Sequence, residues 1–253
     1  MNRLGVKLLV VMMAILLSAC AADKAARKSQ SEALRQLGEA YFGQKEYTKA
    51  LREFKKAEEI YPKDHLLQDD LGLTYMAKGS PDQAIEHFEE ALDIESDYTP
   101  ALNNMGTAYL EKEDWQSAVN CFLKAKEDML YLTPHYPLTN LGFAYYKLKE
   151  YDKAVSYYKE ALELKADFPK AHHGLGLTYI AMGNYDEAVK SLERAVEIVP
   201  NEAQIQFDLG RAYKLNNDFN KAYQSFKKAE SLAEKPQLKK EAGEEAQNIW
   251  NLK

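Results

Sequence analysis

One sequence motif recurs six times along the 253-residue chain, and this repetition restricts the possible fold more than any other feature. Each copy contains a glycine, with tyrosine three residues later, alanine twelve and nineteen residues later, and a large apolar residue sixteen residues later. The glycines are separated by 34, 34, 36, 34 and 34 residues; they are Gly38, Gly72, Gly106, Gly142, Gly176 and Gly210. A period of this length is typical of chains built from stacked copies of one supersecondary unit.

Each copy reads as two helices joined by a turn. Apolar residues at spacings of three and four form one face of a helix, and polar breaks such as 43–46 and 79–82 interrupt that pattern once per copy. Ser80 and Gln83 match the capping-box pattern around Pro81, which predicts the start of a second helix. Glycine and alanine at fixed positions remove bulk, so the two helices of a unit can pack closely.

The order of leucine, glycine, tyrosine, alanine, aromatic residue and alanine resembles the tetratricopeptide repeat over residues 31–236. The resemblance implies an all-α fold, a right-handed superhelical solenoid of six helical hairpins. Residues 237–253 carry apolar residues at helical spacing among lysines and glutamates, which predicts a C-terminal capping helix. The expected repeats are 31–64, 65–98, 99–134, 135–168, 169–202 and 203–236.

The amino terminus has the composition of a secretory signal. Arg3 and Lys7 precede an unbroken apolar run, Leu8 to Leu17, which is too short to span a membrane. The run ends in Leu-Ser-Ala-Cys, which resembles the lipobox of bacterial lipoproteins, and Cys20 is the residue that would carry the lipid. We therefore predict a signal peptide at 1–19, and an acylated N-terminus with a tether at 20–30.

The lipobox resemblance implies a location in the bacterial envelope. Acyl chains, palmitate among them, would anchor Cys20 to a membrane, because two or more chains hold a protein stably. Alanine rather than aspartate follows the cysteine, which in lipoproteins of two-membrane bacteria implies the inner leaflet of the outer membrane, facing the periplasm. The alternative is an ordinary signal peptide with a chance cysteine.

Composition and motifs argue against several functional classes. A net charge of −6, without a run of basic residues and aromatics, argues against nucleic-acid binding. The five histidines are scattered, no metal-ligand spacing occurs, and the glycines of the repeat are isolated within helices, so no phosphate-binding loop is formed. We predict no enzyme activity, no cofactor, no metal and no small-molecule substrate. The remaining cysteine, Cys121, is expected to be a packing residue.

The inner, concave surface is the expected binding site, because in this repeat family it is lined mostly by the first helix of each unit. The lysine, arginine and asparagine set that binds a C-terminal carboxylate in some members is missing, so a largely apolar groove for a protein segment is predicted. The two asparagines are expected to hydrogen-bond to an extended partner backbone. The alternative is that some of the apolar groove side chains bury one another between adjacent helices. The predicted groove residues are Leu73, Met76, Asn103, Asn104, Leu110, Tyr136, Phe143, Tyr146, His173, Leu177 and Ile180.

The third unit departs from the period, with 36 residues, paired asparagines and an Asn-Leu-Gly restart at Asn140. Together with the lipobox and the six repeats, it resembles the pilotins of the PilF/PilW group, the lipoproteins of type IV pilus biogenesis. That resemblance implies a periplasmic scaffold that binds secretin subunits and aids their assembly in the outer membrane. The alternatives are a lipoprotein adaptor of another envelope assembly or polysaccharide export complex, and an enzyme or a regulator of wall enzymes.

Overall fold

The computed structural model describes residues 3–128 and 133–251, with side chains from residue 22 onward and at Met12. Helices with short turns make up these ranges, which contain no strand. We call the first helix of each hairpin its A helix and the second its B helix. The helices are α1 (Arg3–Gly43), α2 (Tyr47–Ile60), α3 (His65–Ala77), α4 (Pro81–Ile94), α5 (Thr99–Glu111), α6 (Trp115–Lys126), α7 (His135–Lys147), α8 (Tyr151–Leu164), α9 (Pro169–Met182), α10 (Tyr185–Ile198), α11 (Ala203–Leu215), α12 (Phe219–Leu232) and α13 (Pro236–Asn251).

Two compact units are present, Met1–Lys112 and Glu113–Lys253. The boundary falls in the turn between α5 and α6, inside the third repeat. Residues 129–132, which include Tyr131 and belong to the longer exit of that repeat, lie outside the described residues.

The first unit packs each B helix against the A helices on either side of it. Phe54 on α2 and Phe88 on α4 are fully or almost fully buried, and alanines surround both rings. An added Cβ atom at Gly72 would lie 2.6 Å from Cδ1 of Phe88, and Gly38 stands equally close to Phe54. Glycine is therefore required at these positions because the ring of the B helix occupies the space of a side chain.

The second unit repeats this arrangement from α6 to α12 and ends with α13. Phe122, Tyr158, Leu192 and Phe226 take the large apolar position, and each is at most 2% exposed. Helix α13 packs on α12 through three buried residues, Ala242, Ala246 and Ile249. The predicted all-helical class, with tandem hairpins and a terminal helix, is confirmed.

The turn inside each hairpin places one residue in the left-handed region. This residue is always seven positions after the motif glycine, with φ between 59° and 78°. Only two of the six are glycine, the residue type that adopts this conformation at no steric cost. They are Lys45, Gly79, Glu113, Lys149, Gly183 and Asn217.

Helix α1 is longer than the other helices because the segment expected as a tether continues it. Residues 22–30 are helical and exposed, and their alanine, lysine and arginine content favours a helix. The Arg27 guanidinium donates a hydrogen bond to the Ile60 carbonyl at 2.8 Å, which holds this part of α1 against the end of α2. Among the described residues, we find no helix with the length and apolarity that crossing a membrane requires.

Candidate functional site

The predicted groove residues of the first unit lie on α3 and α5. Leu73, Met76, Asn103, Asn104 and Leu110 are all half-buried, and Leu73 and Met76 pack against the core around Phe88. The Asn104 amide donates a hydrogen bond to Oδ1 of Asp69 at 3.0 Å. At least one hydrogen-bonding group of Asn104 is therefore used within the protein.

Two adjacent carboxyl groups lie beside these residues, the buried one of Asp69 and the half-buried one of Asp70. Burial raises the pKa of Asp69 to about 6, although the hydrogen bond from Asn104 opposes this effect. Burial also raises the pKa of Asp70 to about 7, and it outweighs the Arg35 guanidinium, whose Nη1 lies 3.2 Å from Oδ2. This surface of the first unit is polar and carries carboxyl groups that take up protons readily.

The predicted groove residues of the second unit lie on α7 and α9. Tyr136 and Phe143 on α7 are each 40% exposed, and their separation of seven residues places them on one face of the helix. Tyr136 packs edge-on against Phe168, with ring centroids 5.4 Å apart. An exposed aromatic surface on a helix is typical of a site where another molecule packs.

A cavity of about 240 Å³ opens between α7 and α9, and we call it the α7–α9 pocket. Four predicted groove residues line it: Phe143, Tyr146, His173 and Leu177. Tyr136 and Ile180 lie outside the lining. Thr139, at another groove position of the fourth repeat, also lines the pocket. The prediction of the groove missed the other lining residues, which are Asn140, Tyr158, Lys170 and Gly174.

Trp115, at the start of α6, extends the aromatic surface and was also missed. Its ring meets Phe143 edge-on with centroids 6.3 Å apart, and the Lys147 ammonium lies 4.8 Å from the centre of the Trp115 ring. The prediction was restricted to A helices, whereas Trp115 belongs to a B helix. A tryptophan at the first position of a B helix was the signal that could have found it.

His173 is held at the edge of the α7–α9 pocket by Asp208. The distance between His173 Nε2 and Asp208 Oδ2 is 2.9 Å, and Gln204 and Arg211 also donate to this carboxylate. Burial raises the pKa of Asp208, but the hydrogen bonds from His173 and Gln204 outweigh burial and keep that pKa below its usual range. The carboxylate is therefore ionised and fully engaged.

Contacts of this kind recur between neighbouring A helices. The residue three positions before one motif glycine bonds to the residue two positions before the next. Each unit contains such contacts, which fix the spacing of successive A helices. The pairs are Arg35–Asp70, Asp69–Asn104 and His173–Asp208.

The A helices of the second unit carry an excess of positive charge. Helices α7, α9 and α11 contain one acidic residue, Asp208, against four cations: Lys147, Lys170, Arg211 and Lys214. The complete chain has a net charge of −6. Arg211 is paired with Asp208, and Lys214 with Glu245 of α13. Lys147 and Lys170 therefore carry the positive charge of these helices, and such charge attracts acidic segments.

One cluster in the first unit has the donors of a metal site. One ligand atom from each of Glu58, His87 and Glu90 lies within 4.8 Å of the others. However, Lys55 Nζ is 3.3 Å from His87 Nε2 and donates to Glu58 at 2.9 Å, while His87 Nδ1 lies 2.7 Å from Oε1 of Gln68. Burial, followed by Lys55, lowers the pKa of His87 to about 4. The Lys55 ammonium is already the cation of this cluster, so the geometry favours an ion-pair network.

The structure describes the side chain of one of the two cysteines. Cys121 on α6 is buried and forms no disulfide bond within the described part of the chain, which agrees with a role in packing. The side chain of Cys20, the predicted lipidation site, lies outside the part of the chain whose side chains the structure describes.

Comparison with known proteins places this architecture among relatives. The tetratricopeptide repeat family matches residues 31–64, 64–129, 98–167, 133–200 and 167–235. The type IV pilus assembly protein PilF of Pseudomonas aeruginosa is 27% identical over 143 residues, or 56% of this chain. That alignment spans 57% of PilF, less than two thirds of its length.

Solved structures show the same fold. Pseudomonas aeruginosa PilF aligns with a TM-score of 0.75 at 22% identity, covering 90% of this chain and 100% of that one. PilW, described as a widely conserved type IV pilus biogenesis factor, has a TM-score of 0.76 at 23% identity, with coverages of 87% and 98%. YrrB, described as having an unusual peptide-binding site, has a TM-score of 0.56 at 23% identity, with coverages of 76% and 97%.

The structural likeness extends over nearly all of the described hairpins, and the repeat matches run without a gap from residue 31 to residue 235. The sequence pattern, the packing of glycine against the B-helix ring, and these matches agree. The chain belongs to the tetratricopeptide repeat family.

Proposed function

We propose that this chain is a membrane-anchored periplasmic scaffold of type IV pilus biogenesis, a pilotin that binds secretin subunits and aids their assembly in the outer membrane. The observation that carries the proposal is the exposed aromatic surface of α7, where Tyr136 and Phe143 are each 40% exposed and Phe143 lines the α7–α9 pocket. The likeness to PilF and PilW supports the choice of pilus biogenesis.

In the proposed mechanism, the lipid anchor determines where the protein is located and the helical repeats recognise the partner. Acyl chains on Cys20 hold the protein at the membrane, and the helix continuing from residue 22 connects the anchor to the first hairpin. A secretin subunit near the same membrane then encounters the aromatic surface of α7 at a raised effective concentration. The exposed rings gain free energy when the partner covers them, because apolar area leaves water. The function involves no change of covalent bonds in the partner.

The test is a crosslinked pull-down of the acylated protein from detergent-solubilised envelopes, with Cys20→Ser as the control. Recovery of a secretin by wild type, with less by Cys20→Ser and fewer secretin multimers in a deletion strain, is the expected result. Recovery of polysaccharide export or other assembly components without a secretin would replace the pilotin function by the adaptor alternative. Unchanged envelope attachment of Cys20→Ser would contradict the lipid anchor.

A further inference from the structure

The α7–α9 pocket is lined by a tyrosine whose hydroxyl has no partner within the described part of the protein. Tyr158 on α8 is 2% exposed, and its hydroxyl forms no hydrogen bond to any residue within 22–128 or 133–251. The side chain lines the pocket. Burial raises the pKa of this phenol, which therefore stays protonated and can donate a hydrogen bond. A hydroxyl that opens into a pocket and has no acceptor in the protein is available to a bound molecule.

The hydroxyl reaches the pocket because Gly174 leaves space for it. A Cβ atom at residue 174 would lie 2.6 Å from Cε1 of Tyr158, and closer still to the hydroxyl oxygen. Residue 174 occupies the position two before the motif glycine, where Asp70, Asn104 and Asp208 form contacts between A helices. The fifth repeat therefore lacks this side-chain contact between A helices, and in its place has a cavity that the Tyr158 side chain lines.

The walls of the pocket suit an aromatic ring. Phe143, Tyr146 and Leu177 provide apolar surface, and the volume of about 240 Å³ accommodates one large side chain. The Thr139 hydroxyl donates to the His135 carbonyl at 2.8 Å, so its lone pairs can accept a second hydrogen bond. A phenol in the pocket could accept from Tyr158 and donate to Thr139 while its ring contacts the walls.

The charges around the pocket favour particular residue types on either side of the inserted side chain. Lys170 lines the pocket, Lys147 lies on the same helix as Phe143, and Arg211 lies on α11. The acid of these helices, Asp208, is already bonded to His173 and Arg211. Arg211 is thus neutralised, and acidic residues on either side of the inserted side chain would meet the positive charge of Lys170 and Lys147.

We infer that the α7–α9 pocket binds a tyrosine side chain carried by an extended, acidic segment of the partner protein. The inference rests on the proposed partner-binding function and identifies the chemistry of the bound segment. Tyr158 is then a specificity-determining residue, since its hydroxyl distinguishes tyrosine from phenylalanine in the bound segment.

The first experiment is a selection of displayed, randomised twelve-residue peptides on the full chain in detergent, with Tyr158→Phe selected in parallel. Tyr158→Phe should fold normally, because four of the other repeats carry phenylalanine at this position. Tyr179→Phe is the matched control, since it removes a buried tyrosine hydroxyl on α9 outside the pocket lining. We expect wild type and Tyr179→Phe to enrich tyrosine flanked by aspartate and glutamate. Enrichment of basic or purely aliphatic peptides, or none above background, would overturn the inference.

The second experiment measures the affinity of one selected peptide by fluorescence polarisation, together with its tyrosine-to-phenylalanine analogue. Wild type should bind the tyrosine peptide roughly tenfold more tightly, because its phenol forms hydrogen bonds with Tyr158 and Thr139. In Tyr158→Phe this ratio should fall to about three, since only the hydrogen bond to Thr139 remains, with the affinity for the phenylalanine peptide unchanged. An equal ratio in both proteins would contradict the role of Tyr158.

The pocket and the pilotin function can fail separately. Recovery of a secretin that Tyr158→Phe leaves unchanged, without selection of tyrosine peptides, would remove the pocket inference and keep the proposed function. Selection of acidic tyrosine peptides without recovery of a secretin would keep the pocket and remove the pilotin function.

Discussion

Tyr158 of the fourth repeat occupies the space that a side chain at residue 174 of the fifth repeat would need, so the two positions are sterically coupled. An ideal Cβ at Gly174 would lie 2.6 Å from Cε1 of Tyr158. The repeats that carry phenylalanine at the B-helix position have Asp70, Asn104 and Asn140 at the corresponding site of the following repeat. The additional hydroxyl of Tyr158 thus goes together with the loss of a side chain on the next A helix.

This coupling predicts a double-mutant result. Gly174→Ala should lower the free energy of unfolding by about 1–3 kcal/mol, because overpacking a closed site forces side chains to shift. Gly174→Ala combined with Tyr158→Phe should recover most of that loss, since phenylalanine lies beside residues with side chains in the other repeats. Urea unfolding of the two single variants and the double variant measures the coupling. Additive effects would show that the two positions are independent.

A second prediction concerns the motif glycines. Gly72→Ala should destabilise the first unit by about 2 kcal/mol, because its Cβ would lie 2.6 Å from Cδ1 of the fully buried Phe88 ring. Gly43→Ala is the matched control, since nothing lies within 4 Å of its added Cβ. Thermal unfolding followed by circular dichroism compares the two variants. A Tm for Gly72→Ala equal to that of Gly43→Ala would refute the steric explanation.

The fold could be predicted from the sequence because the residues that pack against one another within each repeat are close together in the sequence. The motif glycine, the ring sixteen residues later and the small alanines form one closely packed layer, as Gly38 and Phe54 demonstrate. The left-handed turn was not predicted, because Lys45, Glu113 and Lys149 carry no signal of positive φ. The geometry of the hairpin sets the position of the turn, and it outweighs the preference of these residues for negative φ.

Less of the candidate site could be predicted. Phe143 and Tyr146 could be placed on the A-helix face from their register alone, and both line the α7–α9 pocket. Tyr158 and Gly174 could not, because the pocket depends on how a B helix meets the A helix of the next repeat. In the sequence, Tyr158 looks like one more core aromatic, and its exceptional hydroxyl matters only once Gly174 is placed beside it.

The pKa of Asp69 predicts a dependence of stability on pH. Its pKa is raised from 3.8 to about 6, so between pH 4 and pH 6 the folded protein binds more protons than the unfolded chain. Stability contributed by this group is therefore lost as pH rises, by on the order of 1 kcal/mol between pH 5 and pH 7.5. Asp69→Asn keeps an acceptor for Asn104 and should remove this loss.

The measurement is the difference in free energy of unfolding between wild type and Asp69→Asn at pH 5 and pH 7.5. Using the difference cancels His87, whose lowered pKa of about 4 destabilises the folded protein as pH falls. Asp69→Asn should gain stability relative to wild type at pH 7.5 and less at pH 5. A difference that is the same at both values would exclude titration of Asp69 as the cause.

The aromatic surface of α7 predicts a binding defect without a folding defect. Phe143→Ser with Tyr146→Ser should reduce recovery of a crosslinked secretin at least tenfold while helicity stays unchanged, because Phe143 is 40% exposed and Tyr146 half-buried. Phe219→Ser is the matched control, since Phe219 is 38% exposed on a B helix. The recovery is quantified by mass spectrometry. Wild-type recovery by the double variant, with helicity intact, would rule out this surface as the binding site.

The left-handed turn predicts that stability increases when a charged residue is replaced by glycine. Lys149 has a φ of 62°, and Gly183 occupies the same position of the next repeat with a φ of 78°. A non-glycine residue in this region costs about 1–2 kcal/mol, whereas glycine adds about 0.5–1 kcal/mol of unfolded-state entropy. Lys149→Gly should therefore stabilise the second unit by roughly 0.5 kcal/mol, and Gly183→Lys should destabilise it by a similar amount. Urea unfolding measures both, and a loss of stability in Lys149→Gly would show that the Lys149 side chain contributes more than its backbone strain costs.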